Sequence, residues 1–452
     1  MNYIDIIRKY AENKSLEIYM VGGAVRDMFM KRTPSDYDFA VNGDCHSTAR
    51  DIAEILSGSY VNMHSDVARV VVDKTVLDFT NLRGFNIYED LKNRDFTINA
   101  LAIDLKNFET IDITGGIEDI EKGVVRFVSN SAACDDPLRM VRAVRFASRL
   151  GFTIDEDTAE IIRDKAYLLD IMPGERILEE LYKIFESDRS HVYIKKLDEL
   201  NLLERIFPII RPMKKLGKCR YHVVDAYTHS LLTLKFFEEN ISNIFDTEHG
   251  GKIKNHLDEN INGRKRIYTT KIGVFLHDIG KPKAVNMDGG IVSFRGHEKI
   301  GVQEFKEIAK RLAMSIKQRE IIKSIIAGHM RILGLFKQGA SDRALYRLFA
   351  DLQDNTIDVL LCSLYDITAT RSLLDEDGES RKYSDFILNL IDGYYRYESS
   401  RKKFLTGRDI MDITGAEGSR IGKLLKMVEE QAFYGNIKTR EDAVNFVKRV
   451  GG

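Results

Sequence analysis

Cysteine is scarce in this sequence, and its spacing excludes two kinds of protein. Cys45, Cys134, Cys219 and Cys362 lie far apart, and no Cys-x-x-Cys pair occurs. A disulfide framework or a thiolate zinc site needs several cysteines at short, regular spacings. We therefore expect buried thiols in a reducing compartment.

Long apolar runs are missing as well. No uncharged stretch of about 18 apolar residues occurs, which is the length that a membrane-spanning helix needs. Met1–Tyr10 carries Asp5, Arg8 and Lys9 in place of the apolar segment of a secretory signal. The sequence predicts a soluble, cytoplasmic protein that makes no membrane contact.

Neither sign of charge is in excess. The 68 Lys and Arg residues are balanced by 69 Asp and Glu residues, and the formal net charge is −1. This balance excludes a protein that coats nucleic acid through a globally basic surface. Any contact with nucleic acid must come from local basic clusters, and the candidates are 214–220, 264–266 and 401–403.

Proline is rare too, with six in 452 residues, and the spacing of apolar residues divides the chain. After Asp135 they recur every three or four residues, which is typical of amphipathic helices. Before that point, short β-rich runs alternate with Gly, Asp and Asn; they are Glu17–Val21, Phe39–Asn42, Ala68–Val72, Val76–Phe79 and Ala102–Leu105. These patterns predict a multidomain protein: an α/β head with a mixed sheet on a predominantly α-helical neck, body and tail. The predicted boundaries are 1–130, 131–195, 196–370 and 371–452, and 245–265 is expected to be an exposed loop.

Two features of the head suggest phosphate and metal chemistry. A strand candidate runs directly into Gly22–Asp27, where two glycines let the backbone approach an anion and Arg26 supplies positive charge. Asp36 and Asp38 are two residues apart and so point to one face of a strand. Such a carboxylate pair suits a divalent cation in a phosphoryl-transfer site. An isolated Asp-x-Asp is more often a solvated loop, but the glycine turn upstream favours the metal site.

Further charged residues follow. Asp78 lies in an apolar strand, where an unpaired charge would be costly, and it could complete the metal cage or accept a proton from an attacking hydroxyl. Arg94 and Asp95 precede an apolar segment, which a simple helix start would also explain. A mainly basic stripe recurs every three residues after this, at Asp136, Arg139, Arg142 and Arg145. Most such stripes are solvated helix faces.

A second polar set lies in the body. His277 and Asp278 are adjacent inside an apolar segment, where each side chain must find a polar partner or a metal. The same region contains His229, His297, His329 and Asp366.

Four motifs in the first half stand in the order and spacing of the class II tRNA nucleotidyltransferases, the bacterial CCA-adding enzyme and poly(A) polymerase family. They are Gly22–Asp27, Asp36–Asp38, Arg94–Ala100 and Asp135–Arg139. The sequence resembles this family strongly over residues 18 to 185 and more loosely beyond. The resemblance implies Mg²⁺-dependent, template-independent addition of C or A from CTP and ATP to the 3′ end of tRNA.

The resemblance also implies a role for each site residue. Asp36 and Asp38 would bind Mg²⁺, with Asp78 as the third catalytic carboxylate. The nucleotide-binding residues would be Gly23 and Arg26 at the triphosphate, Arg94 and Asp95 at the ribose, Asp136 and Arg139 at the base, and Arg142 and Arg145 at a phosphate or orienting the helix. The tail would grip the acceptor stem and elbow of tRNA.

The histidine set resembles the HD phosphohydrolase superfamily. By that resemblance His229, His277, Asp278 and Asp366 would bind a divalent metal such as Mg, Mn, Ni or Co. His297 and His329 fit the extra ligands of two-metal members. We favour a metal-binding and hydrolytic module over a decayed scaffold because the set is complete.

Several alternatives stay open. The connector 82–92 is short where CCA-adding members carry a flexible loop, so both CC-only and full CCA addition are compatible with the sequence. A poly(A) polymerase would share the same head. The HD module could instead be the main activity, whereas a purely RNA-binding role would leave both carboxylate sets unexplained. The sequence does not predict an oligomeric state.

Overall fold

The computed structural model describes residues 3–216, 224–288, 291–373, 377–401 and 404–451. The chain forms two compact units, Met1–Ser187 with Tyr193–Ile206, and Asp188–Val192 with Phe207–Gly452. Residues 217–220 of the predicted basic cluster 214–220 and residues 402–403 of the cluster 401–403 lie outside the described residues, as does Cys219.

The first unit contains a seven-stranded mixed sheet with the strand order β3-β4-β5-β2-β1-β6-β7. Its strands are β1 Glu17–Val21, β2 Asp36–Asn42, β3 Ser59–His64, β4 Val67–Val72, β5 Thr75–Asn81, β6 Leu101–Asp104 and β7 Thr110–Asp112, and a separate parallel pair is formed by β8 Val124–Val125 and β9 Thr153–Ile154. Strand β2 runs parallel to β5, and all other neighbours in the sheet are antiparallel.

Helices surround this sheet and continue beyond it. They are α1 Tyr3–Lys14, α2 Gly23–Phe29, α3 Cys45–Leu56, α4 Ile87–Lys92, α5 Gly116–Lys122, α6 Ala132–Asp135, α7 Leu138–Leu150, α8 Glu156–Lys165, α9 Gly174–Phe185, α10 Ser190–Glu199 and α11 Leu203–Ile206, with 3-10 turns at Thr97–Asn99 and Ala166–Ile171. The helices between α6 and α11 bury apolar side chains at three- and four-residue spacing, as in Ile177, Leu181 and Ile184 of α9.

The second unit is almost entirely helical. Its helices are α12 Ile210–Lys214, α13 Ala226–Phe245, α14 Gly250–Asp258, α15 Arg266–Leu276, α16 Lys281–Ala284, α17 His297–Arg311, α18 Ile316–Gln338, α19 Asp342–Leu352, α20 Thr356–Ser372, α21 Asp377–Ser400, α22 Gly407–Thr414, α23 Ser419–Phe433 and α24 Arg440–Gly451, with a 3-10 turn at Gln353–Asn355. Two short hairpins interrupt them, β10 Asn260–Ile261 with β11 Arg264–Lys265, and β12 Asn286–Asp288 with β13 Ile291–Ser293. Within the described ranges, no helix has both the length and the apolarity needed to cross a membrane.

The predicted fold class, an α/β head with a mixed sheet followed by helical segments, is confirmed. Each of the five β-rich runs coincides with a strand, although Ala102–Leu105 extends one residue past β6, and the two edge strands β3 and β7 were not predicted. Strand β3 has mainly exposed side chains, so it lacks the alternation of apolar and polar residues that identifies a half-buried strand.

Two local predictions are wrong. The segment 245–265 is not an exposed loop, because α14 and the β10–β11 hairpin lie there and bury Ile253, Leu257 and Ile261. The segment has four apolar residues against eight charged ones, so its pattern resembles that of a solvated loop. Cys134 is an exposed thiol, while Cys45 and Cys362 are buried as expected.

Candidate functional sites

The carboxylates of the head are brought together by the register of two parallel strands, β2 and β5. Asp38 of β2 lies directly opposite Asp78 of β5, and Asp36 precedes Asp38 by two residues on the same face. Asp36 is exposed, and Asp38 and Asp78 are half-buried. Burial first, and then the charge of Asp78, raises the pKa of Asp38 to about 6, although Arg94 acts in the opposite direction.

This carboxylate cluster fits Mg²⁺. Its donors are hard oxygen atoms, which Mg²⁺ prefers. The raised pKa of Asp38 reflects the cost of burying its charge and of holding it beside the like charges of Asp78 and Asp36, and a divalent cation among them would offset that cost.

Arg69 is a member of this cluster that the sequence reading missed. It lies opposite Asp78 on β4, and its Nε and Nη2 donate to the two oxygens of Asp78 at 2.8 and 2.9 Å. Asp78 is therefore not an unpaired charge. The signal was available in the sequence, because the two-residue connection Asp73–Lys74 fixes Arg69 opposite Asp78 in a hairpin.

The glycine turn comes close to the same cluster. Gly22 has a φ of 72°, and a Cβ at this position would lie 3.0 Å from Nη1 of Arg94 and 3.6 Å from Oδ2 of Asp38. Arg94 is itself held by Asp90, whose Oδ2 accepts from Nε at 2.8 Å. Asp90 is buried and was not predicted, because it stands in the short connector 82–92, where no motif marks it.

Arg26 points into the protein. It is 4% exposed, and its guanidinium donates to Asp27 through Nε at 2.9 Å and to Oδ1 of Asn99 through Nη1 at 2.7 Å. Gly23 opens the same helix, and a Cβ there would lie 3.5 Å from Nη2 of Arg26. Arg26, which was predicted to bind the triphosphate, therefore donates its hydrogen bonds to protein side chains, Asp27 and Asn99.

The charged stripe at α7 is divided between surface and interior. Asp136 accepts from the backbone N–H of Leu138 at 3.1 Å and pairs with Arg176 at 3.0 Å. Arg139 donates to the carbonyl oxygen of Asn93 at 3.1 Å. These two polar groups lie at the start of the helix.

The later residues of the stripe face inward. Arg142 pairs with Oδ2 of Asp95 at 2.5 Å, and Arg145 pairs with Glu180 of α9 at 2.5 Å. Burial lowers the pKa of Arg145 despite the nearby Glu180 carboxylate. Of the two roles considered for Arg145, phosphate contact and helix orientation, its buried position favours orientation.

The basic cluster 264–266 is not a free phosphate-binding surface. Arg266 is buried and pairs with Asp358 at 2.8 Å, and Lys265 pairs with Asp258 at 2.6 Å. Arg266 can be buried because Asp358, Glu259 and Asn355 accept hydrogen bonds from its guanidinium.

In the second unit, the predicted histidines and aspartates converge although they come from different elements. Nε2 of His229 on α13 lies 2.8 Å from Oδ1 of Asp366 on α20. Nε2 of His277, which directly follows α15, lies 3.2 Å from Oδ2 of Asp278. These four residues and His329 are buried, and their donor atoms form two overlapping groups of metal-ligand type.

The orientation of three imidazole rings fits a metal ion. Nδ1 of His277, His297 and His329 lies 2.7, 2.8 and 3.0 Å from the carbonyl oxygens of Val274, Phe294 and Ile326. Each Nδ1 must carry the proton to make that bond, so in the neutral ring, which is the form that binds a metal, Nε2 keeps its lone pair. Nε2 of His297 and Nε2 of His329 are 3.2 Å apart, so two lone pairs would face each other unless a cation lies nearby.

The pKa shifts in this cluster have opposite signs. Burial disfavours a charged His277, but Asp278 and Asp366 outweigh it and raise the pKa of His277 to about 10. Burial and the charges of His277 and His297 lower the pKa of His329 to about 3. Two buried carboxylates thus draw positive charge into the cluster, which is the electrostatic demand that a divalent ion would meet.

Comparison with known proteins places these sites in a family. Residues 18–126 match the poly(A) polymerase head domain, residues 151–214 match a probable RNA and SrmB-binding site of polymerase A, and residues 227–366 match the HD domain. The three segments together span most of the chain.

Relatives of similar length support this placement. The chain is 27% identical to an A-adding tRNA nucleotidyltransferase of Deinococcus radiodurans, over 95% of this chain and 94% of the relative. It is also 27% identical to a CC-adding tRNA nucleotidyltransferase of Thermus thermophilus, over 95% and 93%. A poly(A) polymerase I of Salmonella typhi is 31% identical over 44% of this chain and 49% of the relative.

Solved structures share the fold. A CCA-adding enzyme with ATP superposes with a TM-score of 0.70 at 21% identity, covering 99% of this chain and 94% of that one. A Thermotoga maritima CCA-adding enzyme complexed with tRNA gives a TM-score of 0.67 at 20% identity, with coverage of 99% and 94%. By its family-model matches, the chain combines the head and RNA-binding segments of poly(A) polymerases with an HD domain, and it is similar to tRNA nucleotidyltransferases over 95% of its length.

Proposed function

We propose that the protein is a tRNA 3′-end nucleotidyltransferase, which adds C, A or both from CTP and ATP. The observation that carries the proposal is the Asp38–Asp78 register beside the Gly22 turn, with Asp36 on the same face. Full-length relatives with CC-adding and A-adding names support the same substrate class. Both tRNA and the nucleotides are cytoplasmic molecules, so a cytoplasmic location is part of the proposal.

The chemistry is in-line attack of the tRNA 3′-hydroxyl oxygen on the α-phosphorus, with loss of pyrophosphate and no covalent enzyme intermediate. Mg²⁺ held by Asp36 and Asp38 would supply positive charge for the phosphoryl oxygens. Arg94, held by Asp90 close to Asp38, adds a fixed cation beside the reacting groups. Asp78 accepts the hydroxyl proton or orients the attacking group, and Arg69 fixes its carboxylate.

The base is chosen by protein groups at the start of α7. Asp136 can accept and Arg139 can donate hydrogen bonds to the Watson–Crick edge of an incoming nucleotide. Both residues are already tied to neighbours, Asp136 to Arg176 and Arg139 to the Asn93 carbonyl. Such ties limit side-chain motion and so reduce the entropy lost when a base binds.

The decisive experiment offers CTP and ATP separately, with Mg²⁺, to tRNAs that end before the first C, before the second C and before the terminal A. Addition to at least one of them is expected from the wild-type protein, and which ones are extended separates CC-only, A-only and full CCA addition. The Asp36→Ala variant is the matched control. Processive addition of A to unstructured RNA, without use of tRNA, would support a poly(A) polymerase instead.

A second activity is favoured by one observation, the inward-facing Nε2 atoms of His297 and His329. We propose that the HD module binds one or two divalent ions and hydrolyses phosphate esters. Release of phosphate from a phosphomonoester or cyclic phosphodiester, in the presence of Mn²⁺, Ni²⁺ or Co²⁺, tests it. His277→Ala should abolish hydrolysis and spare nucleotide addition, whereas Asp36→Ala should do the reverse.

A further inference from the structure

Four polar side chains join the glycine turn to helix α7 through the interior of the head. Nη1 of Arg26 donates to Oδ1 of Asn99 at 2.7 Å, and Nδ2 of Asn99 donates to Oδ1 of Asp95 at 3.1 Å. Oδ2 of Asp95 pairs with Nη2 of Arg142 at 2.5 Å. Arg26, Asp95 and Asn99 are 4%, 7% and 8% exposed, so water screens these contacts little.

Asn99 is the central link of this chain. Arg26 can only donate hydrogen bonds and an ionised Asp95 can only accept them, so the group between them must accept on one side and donate on the other. A side-chain amide does both, which also fixes the orientation of the Asn99 amide. A carboxylate of the same shape could satisfy Arg26 but would face Asp95 as a like charge.

The chain ends on the helix that starts with the proposed base-reading residues. Arg142 lies one turn after Arg139 on α7, and residues three apart on a helix are neighbours. Phe146, on the next turn, has the guanidinium carbons of Arg26 and Arg142 at 5.6 and 5.9 Å from its ring centroid. A shift of Arg142 would therefore be transmitted to the start of α7.

Arg26 and Asp95, the predicted site residues in this hydrogen-bonded series, have few donors and acceptors left to bind a substrate. Asp95 also accepts from the backbone N–H of Phe96 at 2.9 Å, and Arg26 also donates twice to Asp27. Groups that are buried and bound to each other serve to hold elements in place.

We infer that Asn99 is a positioning residue which, through Arg26 on one side and Asp95 and Arg142 on the other, fixes the base-reading start of α7 relative to the glycine turn. It sets the choice between CTP and ATP without touching either. The inference rests on the proposed function and extends it to a residue outside the substrate-contacting set.

The test is the isosteric Asn99→Asp variant. It keeps the volume of the side chain and the bond to Arg26 but places a negative charge next to Asp95. We expect kcat/KM for the preferred nucleotide to fall at least tenfold, and the ratio of kcat/KM values for CTP and ATP to change at least threefold. Thr97→Val is the matched control. Thr97 lies in the same 3-10 turn and its side chain makes a buried hydrogen bond to Asp119, which is not one of the four linked residues. It should lower the midpoint of thermal unfolding and leave the CTP-to-ATP ratio unchanged.

A compensating change makes the test specific. Asp95→Asn in the Asn99→Asp background again places an amide donor opposite a carboxylate acceptor, so the double variant should return the CTP-to-ATP ratio toward the wild-type value. An unchanged CTP-to-ATP ratio in Asn99→Asp, or an equal change in Thr97→Val, would overturn the inference.

Failure of the proposed function is a separate result. If the wild-type protein extends no tRNA, that function falls, and the dissociation constants of CTP and ATP, measured by calorimetry on the same variants, decide the inference. An equal ratio of the two constants in wild type and Asn99→Asp would then overturn it.

Discussion

Asp38 and Asp78 lie directly opposite each other on the parallel strands β2 and β5. Neighbouring side chains on adjacent strands come within a few ångströms, so their negative charges repel. The sheet register holds the two carboxylates close together although their charges repel. Such a strained arrangement is typical of a site that stabilises a ligand at some cost to the fold.

Replacing Asp38 should therefore separate activity from stability. Because the pKa of Asp38 is raised to about 6, the folded protein binds its proton more tightly than the unfolded chain, and stability falls as the pH rises from about 4 past 6. We expect Asp38→Asn to abolish nucleotide addition and to raise the free energy of unfolding by about 1–3 kcal/mol at pH 7.5 in EDTA. Urea unfolding measures the second quantity. A loss of stability in EDTA would contradict the proposed crowding.

The pair between Arg69 and Asp78 gives a second prediction. Arg69→Lys keeps the positive charge but loses the two parallel hydrogen bonds to Asp78. Arg69→Gln loses the positive charge as well as the two parallel hydrogen bonds. We expect a destabilisation of about 1 kcal/mol for Arg69→Gln, because the pair is partly exposed. We expect a drop in kcat that is larger than any change in the KM of the nucleotide. A KM effect alone would mean that Arg69 binds the nucleotide instead of orienting Asp78.

Asp358 should make the helical unit sensitive to acid. It is buried, but Arg266 and His256 outweigh the effect of burial and hold its pKa well below the ordinary value. A lowered pKa stabilises the fold above about pH 4, and this contribution is lost as the pH falls below that value. Asp358→Asn should lower stability at pH 7 by about 3–5 kcal/mol, since it leaves Arg266 buried without its charge partner.

The matched control for this variant is Asp351→Asn, which breaks the exposed pair with Arg331. It should change stability by less than about 1 kcal/mol. Thermal unfolding between pH 3 and 7 distinguishes the two carboxylates. Equal losses of stability in both variants would show that the buried Asp358–Arg266 pair contributes no more to the free energy of unfolding than the exposed pair.

Metal removal should affect the second unit. Chelation with EDTA is expected to lower the midpoint of unfolding, and Mn²⁺ or Ni²⁺ should restore it, because ligand binding stabilises only the folded state. His277→Ala should remove the response to the metal, and His329→Gln should lower the number of bound ions measured by elemental analysis. A midpoint that does not respond to any of these ions would count against a metal centre.

Much of the architecture could be predicted from the sequence, because strands and helices with one buried face show the matching apolar period. The missed elements lacked this signal: β3 is mostly exposed, and the helix α14 buries Ile253 and Leu257 amid charges. The candidate site residues could be named because they stand in motifs of characteristic residue type and spacing. Among their partners, Arg69 could be recognised from the short Asp73–Lys74 turn, which predicts that it faces Asp78. Asp90 and Asn99 could not, because only the folded structure places Asp90 beside Arg94 and Asn99 beside Arg26.

The turn Asp73–Lys74 between β4 and β5 has a consequence beyond its own shape. It is two residues long, and it sets the register in which Arg69 faces Asp78. Successive side chains of a strand point to opposite faces, so one extra residue that shifted this pairing would separate Arg69 from Asp78 and turn one of them to the other face of the sheet. Insertions and deletions, which surface turns usually tolerate, should be excluded at this turn in active members of the lineage.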